Sequence, residues 1–423
     1  MALNMVRGRL LLFLVATTMA FRISWLWSAE PAVNYDEAQV PAYELPDPLR
    51  FSDGTAVATA SDWTERRRPE LLALFRKQMY GVPLAHPAGM KFDPPQVAEA
   101  YGGKGIRKSI WVRLAGTAEG PALEIVLYLP KHQANPVPVF VGMHLFPKND
   151  VDPRPGQLWQ RPAGDTETVV PGEQLGSYIL ERGYGFATLT AEDFAPDDAK
   201  RYTRGVIGSA LATGQQEPGP DAGRAIAAWA WGLSRALDYF ETDPQVDSRR
   251  VIAVGHSRMG KTALWAAAQD ERFAIAISNN SGCGGAALSR RIFGETVGAI
   301  NRRFPHWFCT NFWNYNEREG ELPFDQHELL ALVAPRPVYV ASAADDRWAD
   351  PHGELLAALA AQPVYQLLGR NVDGLADPAP LNRSSGDFIG YHIRTGKHAL
   401  MDFDWVQYLD FADRHFGHRP PVQ

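Results

Sequence analysis

Arg250-Val251-Ile252-Ala253-Val254-Gly255-His256-Ser257-Arg258-Met259-Gly260-Lys261-Thr262-Ala263-Leu264-Trp265-Ala266-Ala267-Ala268 decides how the rest of the chain is read. A short β-branched apolar run ends at a glycine, a tight turn holds one serine, and an alanine-rich segment of helical character follows directly. The pattern predicts a strand, a sharp turn and a helix, with Ser257 at the apex. So sharp a bend needs small neighbours, which Gly255 and Gly260 supply. It lifts the hydroxyl above the sheet edge and sets it at a helix N-terminus, where backbone N–H groups can hold an oxyanion.

This stretch resembles the nucleophile elbow of α/β-hydrolases, with one departure: the usual glycine two residues after the serine is Met259, and Gly260 comes one later. The same letters fit a rival. Gly255 to Thr262 satisfies the phosphate-binding P-loop pattern in the same strand-to-helix context, and the run Val338 to Asp345 could supply a magnesium-binding aspartate.

With 423 residues, 45% hydrophobic and 21% charged, the chain can bury a large α/β core. A net charge of −6 offers no basic field to collect phosphates, which argues against a nucleic-acid partner. The 12 tryptophans suit a carbohydrate or aromatic ligand, although core packing accounts for most tryptophans in most proteins. Arg7 and Arg9 precede the run Leu10 to Ala16, then small residues through Ala20. Residues 1–29 therefore read as a signal peptide cleaved after Ala20 or Ala29, the alternative being an uncleaved anchor. A secreted or periplasmic monomer with no membrane association after cleavage is expected. Outside the cytoplasm there is little nucleotide to hydrolyse, which weakens the P-loop reading. Cys283 and Cys309 either pair or stay as two separate buried thiols, and two cysteines make a metal site a poor expectation.

Residues 30–62, rich in proline and acidic residues, read as an extended arm on the surface. A single catalytic domain is expected over 63–423. Helical spacing runs from Trp63 to Tyr80, where Gly81 and Pro83 stop it. Strands are predicted over 109–114, 123–129, 137–143 and 184–190, with a proline- and glycine-rich insertion over 150–176. A helix is predicted from Asp221 to Asp243-Pro244, then the Ser257 strand, then strands over 273–278, 337–342 and 388–394. Strands alternating with helices imply a mostly parallel sheet covered on both faces, the α/β-hydrolase class.

A serine hydroxyl becomes a useful nucleophile when an imidazole takes its proton and a carboxylate fixes that imidazole. In this topology the order is serine, acid, histidine, each on a loop after a strand. Asp345 and Asp346 follow one strand directly, and His398 follows another, beside Gly396 and Lys397. Asp346 is chosen over Asp345 and over Asp350, which can cap a helix starting near Pro351. His398 is chosen over His392, which lies inside a strand and should be packed, and over His256. No cofactor is required.

Gly255-His256-Ser257-Arg258-Met259-Gly260-Lys261, Asn280-Ser281-Gly282-Cys283-Gly284-Gly285, Phe304 to Cys309, Asp346 to Pro351 and Gly396-Lys397-His398 together resemble bacterial glucuronoyl esterases of carbohydrate esterase family fifteen. Tyr35-Asp36-Glu37 and Arg67-Arg68-Pro69-Glu70 extend the likeness to the N-terminal part. The resemblance implies hydrolysis of esters between the 4-O-methyl-glucuronate of xylan and lignin alcohols. It implies Ser257 as nucleophile, His398 as general base, Arg258 as an oxyanion-side donor, and Lys261, Glu295 and Trp348 as sugar-binding groups. Many family members carry the triad acid as glutamate where this chain has Asn280, so the acid here is expected to be Asp346. The loop His144-Leu145-Phe146-Pro147, expected to give a second oxyanion donor, departs from the family's asparagine-phenylalanine form. The alternatives are an acetyl-xylan or other carboxylesterase on the same fold, or a weakly catalytic glycan-binding protein.

Overall fold

A computed structural model describes residues 33–117, 121–144 and 172–417. Residues 1–29, read from the sequence as a signal peptide, the loop residues 145–147 and most of the residues 150–176 read as an insertion lie outside the described residues.

Ten strands form one sheet: β1 Lys91–Phe92, β2 Gln96–Ala100, β3 Gly105–Arg113, β4 Ala122–Pro130, β5 Val137–Met143, β6 Gly185–Leu189, β7 Val246–His256, β8 Phe273–Asn279, β9 Val338–Ala343 and β10 Ile389–Arg394. Their spatial order is β1-β3-β4-β6-β5-β7-β8-β9-β10, with β2 also pairing with β3. From β6 to β10 every neighbouring pair is parallel, and the pairs among β1 to β4 and between β4 and β6 are antiparallel. The parallel half is buried on both faces, and its strands β5, β6 and β9 are buried along their whole length. Alternate residues of these strands feed two cores. Val251 and Ala253 face one, with the helices Ala225–Phe240 and Arg258–Gln269 packed over it. Ile252 and Val254 face the other, with Trp405, Tyr408 and Leu409 of the C-terminal helix Asp402–Phe416. Trp63, Trp229, Trp265 and Trp405 are fully buried. Truncating any one to alanine would cost about 3–5 kcal/mol, so these four serve packing rather than ligand.

The elements differ from the sequence expectation in three places, each with a local cause. β1 and β2 were not foreseen, because a two-residue strand and the largely exposed Gln96–Ala100 leave little apolar alternation to read. The helix expected from Asp221 begins at Ala225, because Val82 N donates to Asp221 O (2.8 Å) and Gly223 N to Val82 O (2.9 Å), holding this stretch extended. The helical stretch over 62–80 is α only at Arg68–Phe75, flanked by π turns at Asp62–Arg67 and Arg76–Tyr80. Arg67 and Arg68 anchor it, reaching Glu328, Leu332 O and Ala268 O. Gly81, at φ 88°, ends it as expected.

Four successive C-terminal strand ends therefore open on one edge. Ser257 follows β7, Asn280 follows β8, Asp346 follows β9 and His398 follows β10, which is where open parallel sheets bind their ligands. Among the described residues no helix is long and apolar enough to cross a membrane.

Candidate active site

Ser257 adopts φ 58°, ψ −127°, a conformation that costs a non-glycine residue about 1–3 kcal/mol. Two close approaches hold it there. A Cβ on Gly255 would stand 2.0 Å from Met259 O, and one on Gly260 would press on Ser278, Asn279 and Ser281 at 3.1–3.2 Å. The departure from the usual elbow pattern is thereby explained: what crosses close to the strand is the backbone of residue 259, so its side chain is free to be methionine. Ser257 N donates to Asn279 O at 2.8 Å, tying the turn to the next strand. Gly260 N (2.9 Å) and Lys261 N (3.2 Å) donate to Ser257 O, while the Arg258 and Met259 amides precede the first of these bonds and have no acceptor within the helix.

His398 Nδ1 lies 2.6 Å from Asp346 Oδ2, and Ser257, Asp346 and His398 all line one cavity of about 320 Å³. The same Asp346 oxygen accepts from Asn280 Nδ2 at 2.9 Å. Asn280 thus stands beside the acid as a donor, in the left-handed region at φ 46°. The competing residues lie elsewhere. Asp345 is exposed, and Asp350 caps the helix Pro351–Leu367 through Gly353 N (2.9 Å) and pairs with Arg291 (2.8 Å). His392 is wholly buried between Asp404 (2.8 Å) and Tyr339 (2.8 Å). His256 bonds Asn279 (2.7 Å) and packs its ring 4.5 Å from that of His398; burial, then the neighbouring His398, lowers it to about 4, so it is neutral.

The His398 loop is fastened from below. Arg394, buried at the end of β10, donates to the carbonyls of Thr395 (3.0 Å) and Lys397 (3.2 Å) and pairs through Nε with both oxygens of Asp404 (3.1 Å). Glu354 supports the other side. Its carboxyl, with no exposed surface, takes Ser342 Oγ (2.6 Å), Gly282 N (2.9 Å) and Ser281 Oγ (3.2 Å). Burial pushes it up to about 7.

Lys261, Glu295 and Trp348 line the same cavity. Lys261 is 3% exposed and donates to Cys283 O (2.6 Å) and to Ser281 O, with Glu295 at 4.0 Å. A P-loop lysine has to reach phosphates across its own turn; this ammonium is turned to carbonyls of the following loop. Burial raises the Glu295 carboxyl, with Lys261 opposing, and Glu295 N donates to Trp348 O at 2.9 Å. Cys283 and Cys309 are both free and buried.

The segment around residue 35 meets this end of the cavity from outside. Gly294 N donates to Asn34 O (2.8 Å), Arg291 grips both Glu37 oxygens (2.8 and 2.9 Å), and the Arg347 guanidinium lies over Tyr35 (5.3 Å) and Phe293 (5.9 Å). It thus fastens the segment just before Glu295 to the turn carrying Trp348.

Sequence reasoning missed Asp197, His306 and Trp307. The Asp197 carboxylate bonds Arg258, His306 Nε2 (2.8 Å) and Trp307 Nε1 (2.7 Å), and Trp307 stacks on Phe304 with centroids 3.8 Å apart. The histidine and aromatics of 304–307 were the available signal; nothing in the sequence marks Asp197 over its neighbour Asp198.

Comparison with known proteins gives a consistent result. A family model described as glucuronyl esterase, fungi, matches residues 218–369. A carbohydrate esterase from an unknown prokaryotic organism is 44% identical over 416 residues, covering 93% of this chain and 96% of its own. A 4-O-methyl-glucuronoyl methylesterase of Cerrena unicolor is 29% identical over 360 residues, covering 81% of this chain and 64% of its own. Among solved structures, a glucuronoyl esterase from Solibacter usitatus superposes with a TM-score of 0.82 at 43% identity, over 90% of this chain and all of that one. A promiscuous esterase of carbohydrate esterase family 15 from a marine bacterial metagenome gives 0.79 at 44% identity with the same coverage. With its sheet, its serine turn and these relatives in agreement, the chain belongs to the glucuronoyl esterases of carbohydrate esterase family 15.

Proposed function

We propose that this protein hydrolyses esters joining the carboxyl group of a (4-O-methyl-)glucuronate on xylan to an alcohol of lignin, through an acyl-enzyme on Ser257. His398 takes the Ser257 proton as Oγ attacks the ester carbonyl, and Asp346 stabilises the imidazolium. Charge gathering on the carbonyl oxygen is met by the first amides of the helix Arg258–Gln269 and by the Arg258 guanidinium. Collapse of the tetrahedral species breaks the ester C–O bond, and the departing alcohol takes the proton from His398. Water then attacks the acyl carbon, gives its proton to His398, and the uronic acid leaves as Ser257 regains its own.

Lys261 and Glu295 hold hydroxyls of the sugar ring, and Trp348 gives it an apolar wall. The observation that carries the reading is a single cavity lined by Ser257 and His398, the latter backed by its 2.6 Å contact with Asp346, together with Lys261, Glu295 and Trp348. The apolar run behind Arg7 and Arg9 supports export to the periplasm or beyond, where lignocellulose is met.

Benzyl and methyl esters of glucuronate, assayed beside acetylated xylan and aryl acetates, test the assignment. Turnover of the glucuronate esters, lost in Ser257→Ala, is expected; a preference for acetyl groups would make the enzyme an acetyl esterase instead. Binding of glucuronoxylan with no turnover would make it a glycan-binding protein.

A further inference from the structure

An arginine that must meet charge in a transition state has to be in position before the charge forms, since reorganising it during the reaction gives back the gain. Arg258 cannot be placed by packing alone: its side chain is 41% exposed, and a free arginine carries about 2 kcal/mol of rotamer entropy. What meets it is Asp197, 61 residues away in sequence, on the loop after the short helix Ala191–Phe194.

We propose that Asp197 is a positioning residue that fixes the Arg258 guanidinium over the cavity before the substrate ester is attacked. This rests on reading Arg258 as an oxyanion-side donor. Asp197 can serve as an anchor because it is itself immobilised: Oδ1 accepts from His306 Nε2 at 2.8 Å and from Trp307 Nε1 at 2.7 Å, leaving Oδ2 for Arg258 Nη1. His306 and Trp307 are both buried. Trp307 acts twice, since its N–H holds the carboxylate while its ring lies 5.3 Å from the guanidinium carbon. Phe304 stacks on that ring at an interplanar angle of 3°, fixing its plane. A carboxylate and an aromatic face thus bracket the arginine. Its remaining N–H groups make no hydrogen bond among the described residues, so donors stay available to a substrate oxygen. Burial works against the Asp197 charge, but the donors from His306, Trp307 and Arg258 outweigh it and hold the carboxyl near 2, ionised at any pH at which the enzyme would work.

The test is a double-mutant cycle on purified enzyme with benzyl glucuronate, with free glucuronate binding and thermal unfolding measured alongside. Arg258→Met should lower kcat by roughly 10²–10³-fold, the usual effect of losing one oxyanion donor. Asp197→Asn keeps the shape and the acceptor for His306 and Trp307, but faces Arg258 with no charge. It should lower kcat by roughly 10- to 100-fold, with KM and glucuronate affinity within about twofold of wild type. In the Arg258→Met background Asp197→Asn should cost nothing further, an outcome that a general loss of structure would not produce. Full additivity of the two substitutions would overturn the proposal. So would wild-type kcat in Asp197→Asn beside a crippled Arg258→Met, and that result would leave the oxyanion reading standing. Wild-type kcat in Arg258→Met would overturn both. If Asp197→Asn does not fold, Asp197→Glu takes its place in the cycle: it keeps the charge and displaces the guanidinium by one methylene, and the same outcomes decide.

Discussion

Asp346→Asn removes the carboxylate charge that stands 2.6 Å from His398 Nδ1 while leaving the side chain's shape in place. In the wild type a single Asp346 oxygen accepts from both His398 (2.6 Å) and Asn280 (2.9 Å). An amide oxygen turned the same way still accepts both, so the ring stays oriented and the loss is electrostatic. An imidazolium and a carboxylate with centres about 4 Å apart attract by about 4 kcal/mol at an effective dielectric constant of 20. The His398 side chain is 42% exposed against 5% for Asp346, and solvent screening trims the figure to about 2–3 kcal/mol. At about 1.36 kcal/mol per decade, kcat on benzyl glucuronate should fall roughly 30- to 160-fold, with KM nearly unchanged because no sugar contact is lost. Adding Asn280→Glu to that variant should return part of the loss. The return is incomplete because residue 280 sits at φ 46°, a conformation that costs most side chains about 1–2 kcal/mol more than it costs asparagine. A folded Asp346→Asn enzyme whose kcat stays within about threefold of wild type would refute the assignment of the acid.

Lys261→Met should raise KM for glucuronate esters roughly 10- to 100-fold, the worth of a charged hydrogen bond; saturation kinetics with an unchanged KM would take Lys261 out of the sugar subsite. Glu37→Gln loosens the grip of buried Arg291 on a half-exposed carboxylate and should raise KM about two- to fivefold with kcat intact; a fall in kcat with KM constant would contradict a role confined to the sugar end. Glu354 has a folded pKa of about 7 against an ordinary 4.5. Its neutral form is therefore favoured on folding, so the stability it contributes is complete below pH 4.5 and is lost as pH rises through 7. Urea unfolding at pH 5 and pH 8 should show Glu354→Gln losing about 2–3 kcal/mol less over that interval than the wild type; equal losses would mean the carboxyl is ionised throughout.

The serine turn was legible because it is written locally: a β-branched run, two glycines and an alanine-rich helix lie within nineteen consecutive residues of the chain. The order of Ser257, Asp346 and His398 was legible because parallel topology puts each after a strand. What could not be read is what depends on distant packing. Lys261 looks like an exposed first-turn lysine, and its burial follows from the carbonyls of Ser281 and Cys283 folding over it. Asp197 is one of several acidic residues in its loop, and its partners come from residues 258, 306 and 307. The choice between paired and separate cysteines was open at the level of sequence, since spacing says nothing about two thiols buried in different surroundings.

The clamp that Arg394 and Asp404 place on the His398 loop has a consequence for how the enzyme would fail on warming. The nucleophile is rooted in the middle of the sheet, while the base is moored to the last strand and the first turn of the C-terminal helix. Edges and terminal helices open at lower free energy than central strands. Heat should therefore uncouple the two ends of the proton relay while most of the fold is still intact, so that esterase activity disappears several degrees before the circular-dichroism signal does.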